Sequence, residues 1–188
     1  MDATTRARQA DPATLVAAEA QQYLTFSAKG EMFALGILNV KEIIEFGTVT
    51  QIPMMPCFIR GVINLRGAVV PVIDLRARFG GGPTEVQRRT CIVIVEVAHP
   101  DGRQDLGIVV DAVSEVLEIA AAEIEPAPAF GSSVRADFIA GMGKVGGRFV
   151  IILDMARVLS VEEMAALTAL SAAADDDASA AAPARLAH

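Results

Sequence analysis

The sequence predicts an all-β protein in which two similar small β-barrels pack side by side and are followed by one helix. Two observations predict this fold. Residues 21–170 consist mainly of short β-branched and apolar runs separated by turn signals, and the runs of the first half recur in the same order in the second half. Small barrels close their sheet edges and fill their interiors with such side chains.

Glycine-containing turns predict most of the strands in pairs. These turns lie at Lys29-Gly30, at Arg66-Gly67, within residues 99–102 and at Gly146-Gly147. Glycine accepts the backbone conformations that tight hairpins need. The predicted strands are residues 22–27 and 32–37, 62–65 and 69–75, 91–97 and 106–110, and 149–153. Residues 38–42 fit either a helix or a strand, and residues 56–59 fit a single turn.

One helix is predicted after the last strand. Ser160 and Glu163 form a capping-box pattern, in which the serine hydroxyl accepts from the third amide of the helix and the glutamate reaches back. Apolar side chains then recur at helical spacing. Both ends of the chain are rich in alanine, so we expect a flexible leader at residues 1–20 and a disordered tail at residues 171–188 around a domain of residues 21–170.

An internal repeat is the most informative feature of the sequence. Phe58-Ile59-Arg60-Gly61 recurs 80 residues later as Phe138-Ile139-Ala140-Gly141, and Gly67 and Asp74 have identical counterparts at the same offset. With a shorter offset, residues 35–37 and 40–45 resemble residues 106–108 and 113–118. The repeat predicts two barrels, at roughly residues 21–79 and 90–159, and leaves open whether strands cross between them.

Composition excludes several classes of protein. The chain of 188 residues has a formal net charge of −7 and scattered basic residues, which argues against a nucleic-acid-binding surface. Its apolar runs are shorter than the roughly 18 residues of a membrane span, and its start lacks a secretory signal pattern, so we expect a cytoplasmic protein. Cys57 and Cys91 form no CxxC pair, which predicts neither a disulfide framework nor a zinc site.

The sequence offers little for catalysis. Of its two histidines, His99 lies in a turn and His188 is the last residue. Residues 141–146 match GxGxxG, but nucleotide binding needs a helix after the glycines, and here a β-run follows. We therefore expect no enzymatic activity, no cofactor and no metal.

Arg66 has two interpretations that the residues alone leave open. It can be a surface arginine in a weak ion pair with an upstream acid such as Glu42 or Glu45. Alternatively, its planar guanidinium can hold the turn rigid and present a binding edge. The apolar residues around Glu42 likewise fit either core or interface.

Several segments together resemble the CheW family of bacterial chemotaxis coupling proteins. They are residues 23–26, 38–43, 61–67, 70–76 and 107–111, and the resemblance covers about residues 20–170. It implies two five-stranded SH3-like β-barrels and a non-enzymatic adaptor. Such an adaptor binds the cytoplasmic tip of methyl-accepting chemoreceptors and the regulatory domain of the histidine kinase CheA, at receptor arrays on the inner face of the membrane. An array for pilus motility, surface sensing or development is the alternative.

The resemblance also implies roles for individual residues. Those that match family positions for receptor coupling are Val40, Glu42, Gly61, Arg66 and Cys91, with Arg66 paired to Glu42. The resemblance implies a structural role, as part of the family motifs, for Asn64, Leu65, Gly67 and Asp74. Cys91 departs from the β-branched residue that the family pattern leads us to expect.

Overall fold

A computed structural model describes residues 20–100, 102–127 and 134–180. Within these ranges the chain forms eleven strands and three helices. The strands are β1 (Gln21–Ala28), β2 (Glu31–Gly36), β3 (Val40–Glu45), β4 (Ile59–Leu65), β5 (Ala68–Asp74), β6 (Cys91–His99), β7 (Gly102–Val110), β8 (Ala112–Ile119), β9 (Ile124–Glu125), β10 (Ile139–Val145) and β11 (Arg148–Leu153). The helices are α1 (Leu75–Arg78), α2 (Met155–Val158) and α3 (Val161–Ala180).

The strands form two sheets, one for each barrel. The first barrel has the strand order β3-β6-β7-β5-β4, and the second has the order β8-β1-β2-β11-β10-β9. In the described part of the chain the paired strands are antiparallel except for two short parallel contacts, β5 with β7 and β2 with β11. The all-β prediction and the predicted hairpins are confirmed.

Each barrel takes strands from both sequence repeats. The β1–β2 hairpin of the first repeat joins β8, β10 and β11 of the second, and the β6–β7 hairpin of the second repeat joins β3, β4 and β5 of the first. The repeats at residues 21–79 and 90–159 therefore do not each form one barrel, and strands do cross between the units. The sequence could not show which unit each hairpin joins. Because the strands are duplicated, both units present similar edges with which a hairpin can pair.

The exchanged strands are buried on both faces. In β6, Ile92 and Ile94 point into the first barrel, whereas Val93 and Val95 point into a larger core between the barrels. This double burial explains the unbroken apolar run, since a strand with one wet face would alternate with polar residues. The second barrel has its own smaller interior, which includes Ile119.

Helix α3, which follows the second barrel, packs into the core that the two barrels share. Ser160 Oγ accepts from the Glu163 amide at 3.1 Å and Glu163 Oε2 accepts from the Ser160 amide at 2.7 Å, which confirms the capping box. Leu167 of α3 is fully buried in the shared core, and α3 lies against β5 of the first barrel. The helix continues to Ala180, past the boundary at residue 171, because alanine has the highest helix propensity.

The remaining local predictions have clear outcomes. Residues 38–42 divide between a 3-10 turn (Ile37–Asn39) and strand β3. The Ile59 amide donates to the Pro56 carbonyl at 3.0 Å, which is the expected single turn. The glycine-rich residues 141–146 lie on β10 and its turn into β11, so no helix follows them. Residues 1–19 and 181–188 lie outside the described residues.

Candidate functional site

Arg66 and Glu42 form a two-pronged ion pair at one end of the first barrel. Arg66 Nη1 donates to Glu42 Oε1 at 3.0 Å and Nη2 donates to Oε2 at 2.7 Å. Arg66 sits in the β4–β5 turn with a φ of +53°, and its side chain is 76% exposed. Because both prongs are engaged, the exposed guanidinium has a fixed direction despite its contact with water.

The turn that carries Arg66 is held by a second local bond. Asn64 Oδ1 accepts from the Gly67 amide at 3.0 Å, which closes the turn from inside. Gly67 adopts a φ of +88°, a conformation that glycine takes without strain. Asn64 and Gly67 thus shape this turn locally, and Leu65 lines the groove beneath it.

A β-bulge at Lys41 separates Val40 from Glu42. Val40 is opposite Val95, whose side chain lies in the core between the barrels, whereas Glu42 is opposite Ile94, which points into the first barrel. Directly opposed residues share a face of a sheet, so Val40 and Glu42 lie on opposite faces of β3. Simple strand alternation would have placed them on one face.

The bulged lysine neutralises two opposed acids. Glu96 and Asp105 are directly opposite each other on β6 and β7, an arrangement that is repulsive without a cation. Lys41 Nζ lies 2.7 Å from Asp105 Oδ1 and 3.2 Å from Glu96 Oε2, and Arg103 Nη1 lies 2.8 Å from Glu96 Oε1. The hydrogen bond to Asp105, and then that to Glu96, raises the pKa of Lys41. The bonds from Lys41 and Arg103 lower the pKa of Glu96.

Lys41 and Asp105 also line an open groove of about 430 Å³ beside the ion pair. Its floor is apolar and its rim carries both signs of charge. The lining residues are Lys41, Glu42, Leu65, Arg66, Ala68, Val70, Ile94 and Asp105. Such a groove can hold an apolar side chain of a partner while the rim fixes the partner's polar backbone.

Gly61 has a backbone role in closing the first barrel. Its φ is +143°, and a Cβ at this position would collide with the Thr50 carbonyl and approach Val49 Cγ1 to 2.9 Å. Thr50 and Val62 exchange backbone hydrogen bonds of 2.9 Å each. Gly61 therefore lets the chain before β4 cross over the strand, five residues away from Arg66.

Cys91 lies apart from the ion pair. It is opposite Glu45 at the far end of β3 from Val40, and its thiol donates to the Arg89 carbonyl at 3.2 Å. Cys91 and Val40 share a different environment, since both are half-buried at the margin of the core between the barrels. The structure thus brings Glu42, Leu65 and Arg66 together and leaves Gly61 and Cys91 elsewhere.

Asp74 anchors a network that the sequence did not reveal. The buried carboxylate accepts from Arg60 Nη1 at 2.9 Å and from the Thr84 amide and hydroxyl at 2.7 Å each. It also caps α1 by accepting from the Ala77 amide at 3.3 Å. Arg60 and Thr84 were not singled out, although a signal existed. Arg60 is replaced by Ala140 in the otherwise identical four-residue repeat.

Apolar side chains are exposed on both barrels. Leu38 is 97% exposed in the 3-10 turn before β3, and Ile43 is 43% exposed on β3 itself. On the second barrel, Phe149 is 55% exposed beside Pro126 and Met142. Contiguous exposed apolar surface commonly marks sites that bind other proteins, and these side chains are candidates for such contacts.

Paired β-barrels with an ion-paired turn and exposed apolar edges define a protein-binding scaffold. The comparisons with known proteins agree. The CheW-like domain family matches residues 22–163, and the chain belongs to this family. The chain is 39% identical over 145 residues to the chemotaxis protein CheW of Klebsiella aerogenes. This match covers 77% of this chain and 85% of that protein.

A solved structure and a relative of another name also match the chain. The crystal structure of the scaffolding protein TtCheW from Thermoanaerobacter tengcongensis has a TM-score of 0.70 and 32% identity, and the match covers 86% of this chain and 99% of that one. Protein FrzA of Myxococcus xanthus is 27% identical over 149 residues, or 78% of this chain and 90% of that protein. The chain is therefore a chemotaxis scaffold of two SH3-like barrels and not an enzyme.

The described helices include none that is both long enough and apolar enough to cross a bilayer.

Proposed function

We propose that this scaffold couples methyl-accepting chemoreceptors to the histidine kinase CheA, in the cytoplasm at receptor arrays on the inner face of the membrane. The observation that carries the proposal is the two-pronged bond between Arg66 and Glu42. It fixes an exposed cation at the rim of a groove with an apolar floor and a charged rim, which is a rigid edge suited to a helical receptor tip. Family membership supports both partners.

The receptor-binding residues divide into two kinds in this proposal. Val40, Glu42 and Arg66 contact the receptor tip, Val40 from the margin between the barrels and the ion pair from the barrel end. Gly61 acts indirectly, because it allows the first barrel to close. Cys91 acts at the same inter-barrel margin as Val40.

Coupling in this proposal is mechanical. The receptor binds near the first barrel, and an exposed apolar end of the scaffold docks on the regulatory domain of the kinase. A shift in the receptor then favours one conformation of the kinase, provided that the scaffold binds the two conformations with different affinity. The scaffold itself catalyses no reaction in this proposal.

Reconstitution tests the proposal. Purified chain, membranes containing a chemoreceptor from the native cell, and its CheA are mixed, and phosphorylation of CheA is followed with and without the chain. We expect receptor-stimulated phosphorylation only when the chain is present, and its suppression by attractant. Equal kinase activity with and without the chain, for every native receptor and kinase tested, contradicts the proposal.

A second candidate is an adaptor of an array that does not serve swimming, such as pilus motility, surface sensing or development. The match to protein FrzA, a relative whose name is not a chemotaxis name, supports it. Affinity capture from the native cell separates the candidates, because the receptor and kinase that co-purify identify the array.

A further inference from the structure

Arg78 crosses from the first barrel to the second. It ends α1, which follows the last strand of the first repeat. Its Nε donates to the Val158 carbonyl at 2.7 Å, and its Nη2 donates to Glu163 Oε2 at 3.2 Å. Both acceptors follow the last strand of the second barrel, and the Arg78 side chain is only 18% exposed.

The same guanidinium lies over two aromatic rings at equivalent positions of the repeats. Its Cζ is 4.6 Å from the centroid of the Phe58 ring and 5.1 Å from that of Phe138. Phe58 and Phe138 are counterparts at the 80-residue offset, one before β4 and the other before β10. Val158 is likewise the counterpart of Arg78 itself. Arg78 therefore sits where equivalent positions of the two repeats meet.

The chemistry at this point requires an arginine. A guanidinium can stack its flat face on aromatic rings while the N–H groups at its edge donate in the plane. A lysine ammonium has neither the flat face nor two donors on a rigid frame. Glu163 also accepts from the Ser160 amide at 2.7 Å, so Arg78 ties the start of α3 to the first barrel as well.

We infer that Arg78 is the positioning residue that fixes the orientation of the two barrels relative to each other. Its consequence for signalling rests on the proposed function: a scaffold with loosely oriented barrels still binds each partner but transmits a receptor shift poorly. The contact with the Phe138 ring and the two hydrogen bonds cross from the first barrel to the second, whereas the contact with the Phe58 ring holds the guanidinium on its own barrel.

Spin-label distances test the orientation directly. Labels are placed on Ala68→Cys and Arg148→Cys, which are exposed and equivalent positions on the two barrels, in a chain carrying Cys57→Ser and Cys91→Ala. We expect a narrow distance distribution in the parent and a broader or shifted one in Arg78→Met and Arg78→Lys. The Arg78→Lys variant keeps the positive charge, and its distance distribution decides the test if Arg78→Met does not fold. Parent-like distributions in a folded variant overturn the inference.

Arg135→Met is the matched control. Arg135 also lies over the Phe138 ring, at 5.5 Å, but its ion pair is with Asp137 on the same barrel. Its loss should leave the distance distribution unchanged. A change as large as that of Arg78→Met would show that any cation on this ring has the effect, which also contradicts the special role of Arg78.

Kinase assays test the consequence for signalling. Arg78→Met, without labels, should bind receptor membranes and CheA with parental affinity yet stimulate the kinase about fivefold less, a typical size for lost coupling. Full stimulation by a variant with broadened distances overturns this consequence. If the parent chain itself gives no stimulation, the proposed function fails, while the distance measurement still decides the role of Arg78.

Discussion

Asp74 and Asp154 hold the same place in the two repeats but differ in burial. Each lies at the end of the last strand of its repeat and caps the short helix after it. Asp74 is fully buried, whereas the side chain of Asp154 is 33% exposed and pairs with Arg157 on its own helix. The difference arises because only Asp74 has gained an arginine on the neighbouring strand and a threonine from the following loop.

Asp74→Asn should therefore destabilise the protein strongly. The amide cannot accept all four bonds and leaves Arg60 without its charged partner, so we expect a loss of about 3 kcal/mol in the free energy of unfolding. Asp154→Asn is the control and should cost about 1 kcal/mol or less, as for a helix cap alone. Urea unfolding of both variants measures the difference. Equal losses would mean that the network around Asp74 adds nothing beyond the cap.

Gly61→Ala should also act on stability before it acts on binding. The added methyl meets the Thr50 carbonyl in a conformation that alanine disfavours, so we expect a loss of at least about 2 kcal/mol. Gly67→Ala has a positive φ but open space around the new methyl, and should cost about 1 kcal/mol. Thermal unfolding compares the two, and a fully stable Gly61→Ala that fails to bind receptor would instead favour a direct contact.

Arg66→Ala should separate function from stability. The Arg66 side chain is 76% exposed, so the free energy of unfolding should change by less than about 1 kcal/mol. Receptor-stimulated kinase activity should fall by about tenfold, since the groove rim loses its fixed cation. Arg103→Ala removes another exposed, paired arginine and should leave stimulation intact. Normal stimulation by folded Arg66→Ala would remove Arg66 from the proposed receptor site.

Lys41→Met should raise the pKa of Glu96. That pKa is held below its ordinary 4.5 mainly by the hydrogen bond from Lys41, and the bond from Arg103 should keep part of the shift. Carbon-detected NMR titration of the carboxylate measures it. Lys144→Met removes an exposed lysine on the second barrel and should leave the titration of Glu96 unchanged. An unaltered midpoint in Lys41→Met would show that Arg103 alone accounts for the shift.

The same network predicts the direction of its pH dependence. The pKa of Glu96 is lowered on folding, so its contribution to stability is present above about pH 4.5 and is lost as the pH falls through the folded-state pKa. The pKa of Lys41 is raised, so its contribution is complete below pH 10.5 and is lost as the pH rises through its folded-state pKa.

The sequence predicted what is local and missed what depends on tertiary packing. Hairpins such as the one at Arg66-Gly67 could be predicted because the turn and both strands lie within about fifteen residues. The exchange of hairpins between repeats could not, because equivalent edges are available in both units. The bulge at Lys41 was equally hidden, since one extra residue in a strand leaves its composition unchanged.

The candidate site was predicted in the same uneven way. The pairing of Arg66 with Glu42 was expected from the family motif and is observed. The separation of Gly61 and Cys91 from that pair depends on how the strands are arranged, which residue type does not show. Arg60 and Thr84 were missed because their role depends on their bonds to Asp74. Those bonds form only when β4 and the loop that carries Thr84 fold against the end of β5.

The exchange of hairpins also sets an order for synthesis. Among the described elements, the β1–β2 hairpin is the first to leave the ribosome, yet its partners β8 and β11 are not complete until residue 153 has been made. The first barrel can close earlier, once residue 110 has emerged. The described hairpin that is synthesised first can therefore complete its sheet only after β11 has been made. Its apolar residues lack their partner strands until most of the chain has been translated.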